Sequence, residues 1–282
     1  MDIDLLGALV VREQGISVTP TAPKPRQVLA LLALNADQAV PAATVIEELW
    51  GATPPLRART ILQNYVLQLR ELIGAALRQA HDAAPRSAKD ILVTVPGGYL
   101  LRTGEGRSDV REFERLAGAG YRAVDAGDYP RAVRRLSEAL ALWTGRVLAD
   151  VRTGPHLEPQ AARLEESRLG VLEQRVDVTL RLGRHRELLA ELTALVSRYP
   201  THENLCGQFM LALYRSGRRG EALSAYQRLR TALSRDLGLE PSAALVRVQL
   251  SILASGPSRS AGHEVFAAPR GSHEAHAVTS AG

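Results

Sequence analysis

The 282-residue chain is poor in cysteine, lysine and aromatic side chains: one Cys, three Phe, two Trp and seven Tyr, with lysine only at Lys24 and Lys89. A single cysteine, Cys206, excludes a disulfide framework and a cysteine-built structural zinc site. It lies between Leu205 and Phe209 on a helical pattern and reads as a small buried hydrophobe. The seven histidines are scattered, and none stands at a metal-ligand spacing, so no metal is expected. No Gly-x-x-x-x-Gly-Lys-Ser/Thr loop is present, and no other cofactor motif, so none is expected. Glu47-Glu48 and Glu165-Glu166 read as solvent-facing charges, not as an acid/base pair. An enzyme is not expected. No apolar run approaches the ~18–20 residues of a membrane helix, and Asp2 and Asp4 replace the basic start of a secretion signal. The expected location is the cytoplasm, away from membranes.

Charge of one sign is also in short supply. The net charge is +5, but residues 1–102 hold 10 Lys+Arg against 9 Asp+Glu. Any case for a nucleic-acid partner must therefore rest on where individual arginines stand.

The first twenty residues alternate Ile3, Leu5, Leu6, Val10, Val11, Ile16 and Val18 with small or polar residues, a pattern of short strands. After Pro25 the period lengthens. Val28, Leu29, Leu31, Leu32 and Leu34 predict a first helix, Gln38-Ala39-Val40 a short extended segment, and Val45, Ile46 and Leu49 a second helix closed by Gly51. Paired Pro54-Pro55 predict a loop. A longer helix follows over Arg57 to Ile73, with Leu62, Val66, Leu69 and Ile73 on one face. Residues 78–90 read as a flexible spacer. Ile91 to Val95 and Tyr99 to Leu101 flank Pro96-Gly97-Gly98, a hairpin pattern. This order predicts a winged helix-turn-helix over residues 1–102.

Beyond Arg102 the pattern is nearly all helical and repeats. Gly127, Gly183 and Gly217 each open a copy, with Ala132, Leu188 and Ala222 five residues on. Leu136, Leu192 and Tyr226 stand at nine, Ala139, Leu195 and Leu229 at twelve, and Trp143, Tyr199 and Leu233 at sixteen. Gly183 and Gly217 are one tetratricopeptide period of 34 residues apart. An all-α, tetratricopeptide-like domain is predicted over 103–255, followed by a disordered tail over 256–282. The fold class is thus mainly α with a small β part.

Several stretches resemble the Streptomyces antibiotic regulatory protein family: Pro23 to Leu32, Leu49-Trp50-Gly51 with Pro54-Pro55, Leu62 to Val66 with Gln68-Leu69-Arg70, and Pro96 to Leu101. The helical half, through Asp236-Leu237-Gly238-Leu239-Glu240-Pro241, resembles that family's bacterial transcriptional activation domain. The resemblance implies an activator of a secondary-metabolite gene cluster. It further implies binding to direct repeats in double-stranded promoter DNA as a head-to-tail dimer, and recruitment of RNA polymerase. The loop of Trp50, Thr53, Pro54, Pro55 and Leu56 corresponds to the segment of related winged helices that faces the polymerase sigma subunit. Such an activator is expected at the nucleoid.

On the long helix, the amide ends of Asn64 and Gln68 suit base edges, Gln63 lies on a flank, and Thr60 suits a thymine methyl or a phosphate. Arg57, Arg59 and Arg70 are expected on phosphates, and Lys24 and Arg26 as backbone clamps. Pro96, Gly97, Gly98 and Tyr99 form the wing, the glycines for turn geometry and Tyr99 for packing. Two other readings stand beside this one: a helical-repeat adaptor that binds only proteins, and an activator gated by a small ligand in the repeats.

Overall fold

The computed structural model describes residues 1–79 and 86–254. Two compact units emerge, Met1–Val178 and Thr179–Gly282. The boundary between these units falls inside a long helix, Leu157–Arg181.

The first unit opens with an antiparallel meander, β1 (Asp2–Asp4), β2 (Val10–Glu13) and β3 (Ile16–Ser17), with Ile3 opposite Val11 and Glu13 opposite Ile16. Helix α1 (Pro23–Leu34) starts with Pro23 in its first turn, where the missing N–H costs nothing. Strand β4 (Ala39–Pro41) leads into α2 (Ala42–Trp50), and α3 (Ala58–Gln79) follows the proline loop. Along α3, Leu62, Val66, Leu69, Ile73 and Ala76 are buried. Each large apolar side chain so buried contributes roughly 1.5–3 kcal/mol.

Helix α3 continues six residues past Ile73, because Ala76 and Leu77 extend the stripe against the core. Part of the expected flexible spacer is also ordered. Ser87 starts α4 (Ala88–Ile91), where the Asp90 carboxylate accepts the Ser87 N–H at 2.8 Å. Residues 80–85 of that spacer lie outside the described residues. Strands β5 (Leu92–Val95) and β6 (Gly98–Leu101) form the hairpin, and β4 pairs with β6 in a sheet of order β4-β6-β5.

Helices α5 (Asp109–Asp125), α6 (Tyr129–Ala141) and the start of α7 (Leu157–Arg181) complete this unit. They share one core with the winged helix: Ile3, Leu29, Leu69 and Leu101 belong to the same buried cluster as Phe113, Leu136 and Trp143. The Phe113 and Trp143 rings meet edge to face at 5.3 Å. Backbone pairing ties the same parts together: Leu6 O accepts the Thr144 N–H at 2.9 Å and Leu5 O the Leu148 N–H at 3.0 Å.

The second unit holds a 3-10 turn (His185–Leu188), then α8 (Leu189–Arg198), α9 (Glu203–Arg215), α10 (Arg219–Leu237) and α11 (Ala243–Ala254). The repeat has a backbone basis. Gly127, Gly183 and Gly217 take φ of +73°, +76° and +81°, the left-handed conformation that ends one helix before the next begins. Ala132, Leu188 and Ala222, five residues on, are all buried. Cys206 is buried as expected, and desolvation pushes its thiol pKa up to about 12. The tail expected to be disordered, 256–282, lies outside the described residues.

Candidate nucleic-acid interface

Helix α3 is amphipathic, and its outward face carries the polar residues singled out from the sequence. Arg59, Thr60, Gln63, Asn64 and Gln68 are all exposed, with Arg57 exposed one residue before the helix. Among the described residues Arg57 and Arg59 form no side-chain hydrogen bond or ion pair, so both guanidiniums are available to an anion. Glu71 is exposed on the same helix, one turn beyond Leu67. Three apolar residues are also open to solvent here: Leu67 at 55% exposure, Leu72 at 36%, and Leu56 just before the helix, fully exposed.

The other three cations are engaged within the chain. Arg70 donates through Nε and Nη2 to the Leu92 carbonyl at 3.0 and 2.8 Å, and through Nη2 to the Thr94 hydroxyl at 2.7 Å. It pins α3 to β5. Arg26 donates to the Leu9 and Pro20 carbonyls, each at 3.0 Å, and pairs with Asp150. It holds the amino-terminal meander to α1. Lys24 donates to the Leu49 carbonyl at the end of α2, and its ammonium lies 5.8 Å from the Trp50 ring centroid. Partial burial, helped by nearby Arg152, lowers the Lys24 pKa. To turn outward toward a phosphate, each of these three cations must first give up its internal carbonyl acceptors.

The loop between α2 and α3 is shaped by backbone needs. Gly51 takes φ +61°, and the Pro55 carbonyl accepts the Ala58 N–H at 2.9 Å to start α3. Thr53, Pro54 and Leu56 are exposed, Pro55 is half-buried, and Trp50 packs partly against the core.

In the wing, Pro96 and Gly97 make a two-residue turn with Gly97 at φ +79°. Gly98 is buried against β4: a Cβ there would stand 2.2 Å from the Val40 carbonyl oxygen. Tyr99 is buried and packs in the core, as expected. Pro96 and Gly97 are exposed at the hairpin tip.

Glu48 is the residue the sequence pattern misread. It is only 2% exposed, not solvent-facing. Its carboxylate accepts N–H groups from Gly154 at 2.6 Å, His156 at 2.8 Å and Leu157 at 3.0 Å, and from the Gln27 amide at 2.9 Å. A buried carboxylate on α2 thereby caps the start of α7. Glu165 is also partly sheltered and accepts the Val147 N–H at 2.9 Å. No periodicity reports such pairings, because each partner is more than a dozen residues away.

A second carboxylate, Asp37, anchors the loop before β4. Its carboxylate accepts from Thr103 N–H at 2.8 Å, the Thr103 hydroxyl at 2.5 Å and Arg111 at 2.9 Å. Slight burial acts to raise its pKa, but the Thr103 hydrogen bonds and Arg111 outweigh it and hold the carboxyl below its ordinary value.

Comparison with known proteins locates these features in a family. A family model described as the bacterial transcriptional activator domain matches residues 108–253. Regulatory protein DnrI of Streptomyces peucetius is 51% identical over 257 residues, which are 91% of this chain and 93% of DnrI. Transcriptional regulator RedD of Streptomyces coelicolor is 36% identical over 91% of this chain and 71% of RedD. Regulatory protein AfsR of Streptomyces coelicolor is 37% identical over 90% of this chain, and the match spans 24% of AfsR. Among solved structures, Mycobacterium tuberculosis EmbR in complex with a low-affinity phosphopeptide aligns with TM-score 0.81 and 34% identity. That alignment covers 92% of this chain and 66% of the EmbR chain. A winged helix followed by a helical domain is common to both.

Proposed function

Because the chain belongs to the Streptomyces antibiotic regulatory protein family and carries its bacterial transcriptional activator domain, we propose that this transcriptional regulator is a DNA-binding activator of an antibiotic gene cluster. In this reading residues 1–102 read promoter DNA and residues 103–255 contact protein. The observation that carries it is the exposed face of α3, where Thr60, Gln63, Asn64 and Gln68 follow Arg57 and Arg59, both unpaired among the described residues. A helix is thin enough to enter the major groove, and Asn or Gln amides pair with both edge groups of adenine. Each such bidentate contact discriminates by about 1–3 kcal/mol. Arg57 and Arg59 would neutralise phosphates, while Arg70 positions the wing and Lys24 and Arg26 hold the scaffold.

Direct repeats on one DNA face require half-sites about one helical turn apart, roughly 10–11 base pairs. Head-to-tail protomers on such repeats would present the Trp50–Leu56 loop to the polymerase sigma subunit, with fully exposed Leu56 as its apolar contact. Bound in this way, the protein would reside at the nucleoid.

The test is selection of bound duplexes from a random pool by the full chain, followed by sequencing. Enrichment of direct repeats with that spacing is expected. An unenriched pool, in contrast, would favour an adaptor that binds only proteins.

A further inference from the structure

The second unit contains a cavity that the proposed DNA reading does not use. It measures about 550 Å³ and lies among α8, α9 and α10. That is within the ~300–1,000 Å³ range of small-molecule sites. Its floor is apolar, formed by buried Cys206, Phe209, Ala225 and Leu229. Val196 and Tyr199 form a half-buried wall.

The repeat itself shows why the space exists. Twelve and sixteen residues past the repeat glycine, the first copy has Ala139 and Trp143 and the third has Leu229 and Leu233, all buried. In the second copy the same positions, Leu195 and Tyr199, are only half-buried. Here the helix is α8, ten residues long and preceded by a 3-10 turn, against thirteen residues in α6 and nineteen in α10. The half-buried Leu195 and Tyr199 leave this side of the second copy open, where their counterparts are packed away.

The mouth has a definite charge pattern. Arg218 is bound bidentately by Glu221 at 2.7 and 2.6 Å, which cancels both charges. Arg228 is exposed at the rim and, among the described residues, forms no hydrogen bond or ion pair. The Tyr199 ring of the wall is itself backed by the Arg198 guanidinium, stacked 5.4 Å from its centroid. The Thr193 and Ser197 hydroxyls donate back to their own helix, to Leu189 O at 2.7 Å and Thr193 O at 2.9 Å. They therefore offer only lone pairs inward. No unpaired carboxylate faces the cavity among its lining residues, so a cationic ligand lacks a partner, and Arg228 as the one uncancelled lining cation matches a single negative charge.

We infer that this cavity is a binding site for a small organic monoanion with a flat apolar body, such as an aromatic carboxylate or sulfonate. The ring system lies on Phe209, Leu229 and Tyr199, and the anionic group meets Arg228. This inference is independent of DNA binding, since occupancy is measured directly.

The probe is 8-anilino-1-naphthalenesulfonate, titrated by fluorescence into the full chain, with uncharged N-phenyl-1-naphthylamine as its neutral counterpart. Arg228→Gln, at an exposed site, should weaken the sulfonate by about tenfold, the value of one charge-assisted contact, and leave the neutral dye nearly unchanged. Val196→Trp should fill the cavity and abolish saturable binding of both dyes. Equal sulfonate affinity in wild type and Arg228→Gln would overturn the charge assignment. Saturable binding that survives Val196→Trp would overturn the site.

Discussion

Glu48 on α2 accepts the backbone N–H of Leu157, the first residue of α7, at 3.0 Å. The same carboxylate holds Gly154 and His156, so one side chain next to the α2–α3 loop also starts the long helix of the activator domain. Glu48→Ala leaves the buried Leu157 N–H and the partly buried Gly154 and His156 N–H groups without an acceptor. It should cost about 3 kcal/mol or more in urea unfolding, with Glu48→Gln retaining part of that. An Ala variant as stable as wild type would refute the cap.

Arginines on the proposed DNA face should separate by experiment. Arg57→Ala or Arg59→Ala should lower the slope of log affinity against log salt by about one each, without changing stability. Arg70→Ala should instead loosen the wing and lower the melting temperature, since its partners are the Leu92 carbonyl and Thr94. The readouts are filter binding across salt concentrations and thermal unfolding of the free protein.

Base reading should concentrate in the amides. Asn64→Ala is expected to relax sequence preference at one position of each half-site by about 1–3 kcal/mol, with non-specific affinity retained. Competition gel shifts with point-substituted sites measure this.

The two turn glycines should differ in sensitivity. Gly97→Ala meets open space but must hold a positive φ, at a cost of about 1 kcal/mol. Gly98→Ala drives a methyl into the Val40 carbonyl of β4 and should cost about 1–3 kcal/mol by overpacking, with loss of the β4–β6 pairing. Hydrogen exchange across residues 92–101 would report the difference.

Acid should act on Asp37 and Asp109 in opposite senses. The folded Asp37 pKa lies below its ordinary value, so its contribution is present above that value and is lost as pH falls through the folded pKa. Asp109 is raised by burial, despite accepting the Leu5 and Leu6 N–H groups at 2.7 Å each. Its ionised form is the costly one, so its contribution is greatest at low pH and declines as pH rises through the folded pKa. Asp109→Asn keeps an acceptor without the charge and should be at least as stable as wild type at neutral pH. Asp37→Asn should be less stable there and lose its deficit in acid. Urea midpoints across pH 3–7 would check both signs.

Local signals carried much of this protein. The period-3.6 stripe of Leu62, Val66, Leu69 and Ile73 and the Pro-Gly-Gly turn were readable because the physics is within a few residues. The repeat glycines were readable for the same reason, since each ends a helix in a left-handed conformation that only glycine adopts cheaply. The same spacing also shows which face of α3 is polar. The tertiary structure decided which of its charges are free. Arg70, Arg26 and Lys24 look like surface cations in sequence, yet each finds carbonyl acceptors in segments up to 25 residues away. Glu48 looks like half of an exposed acidic pair, yet folding brings it against backbone N–H groups more than 100 positions on. Nor does any sequence period report that Phe113 and Trp143 share a buried cluster with Ile3, Leu29 and Leu69. Local patterns specify elements and faces; hydrogen-bond partners and shared cores are set by long-range packing, which no short window of sequence encodes.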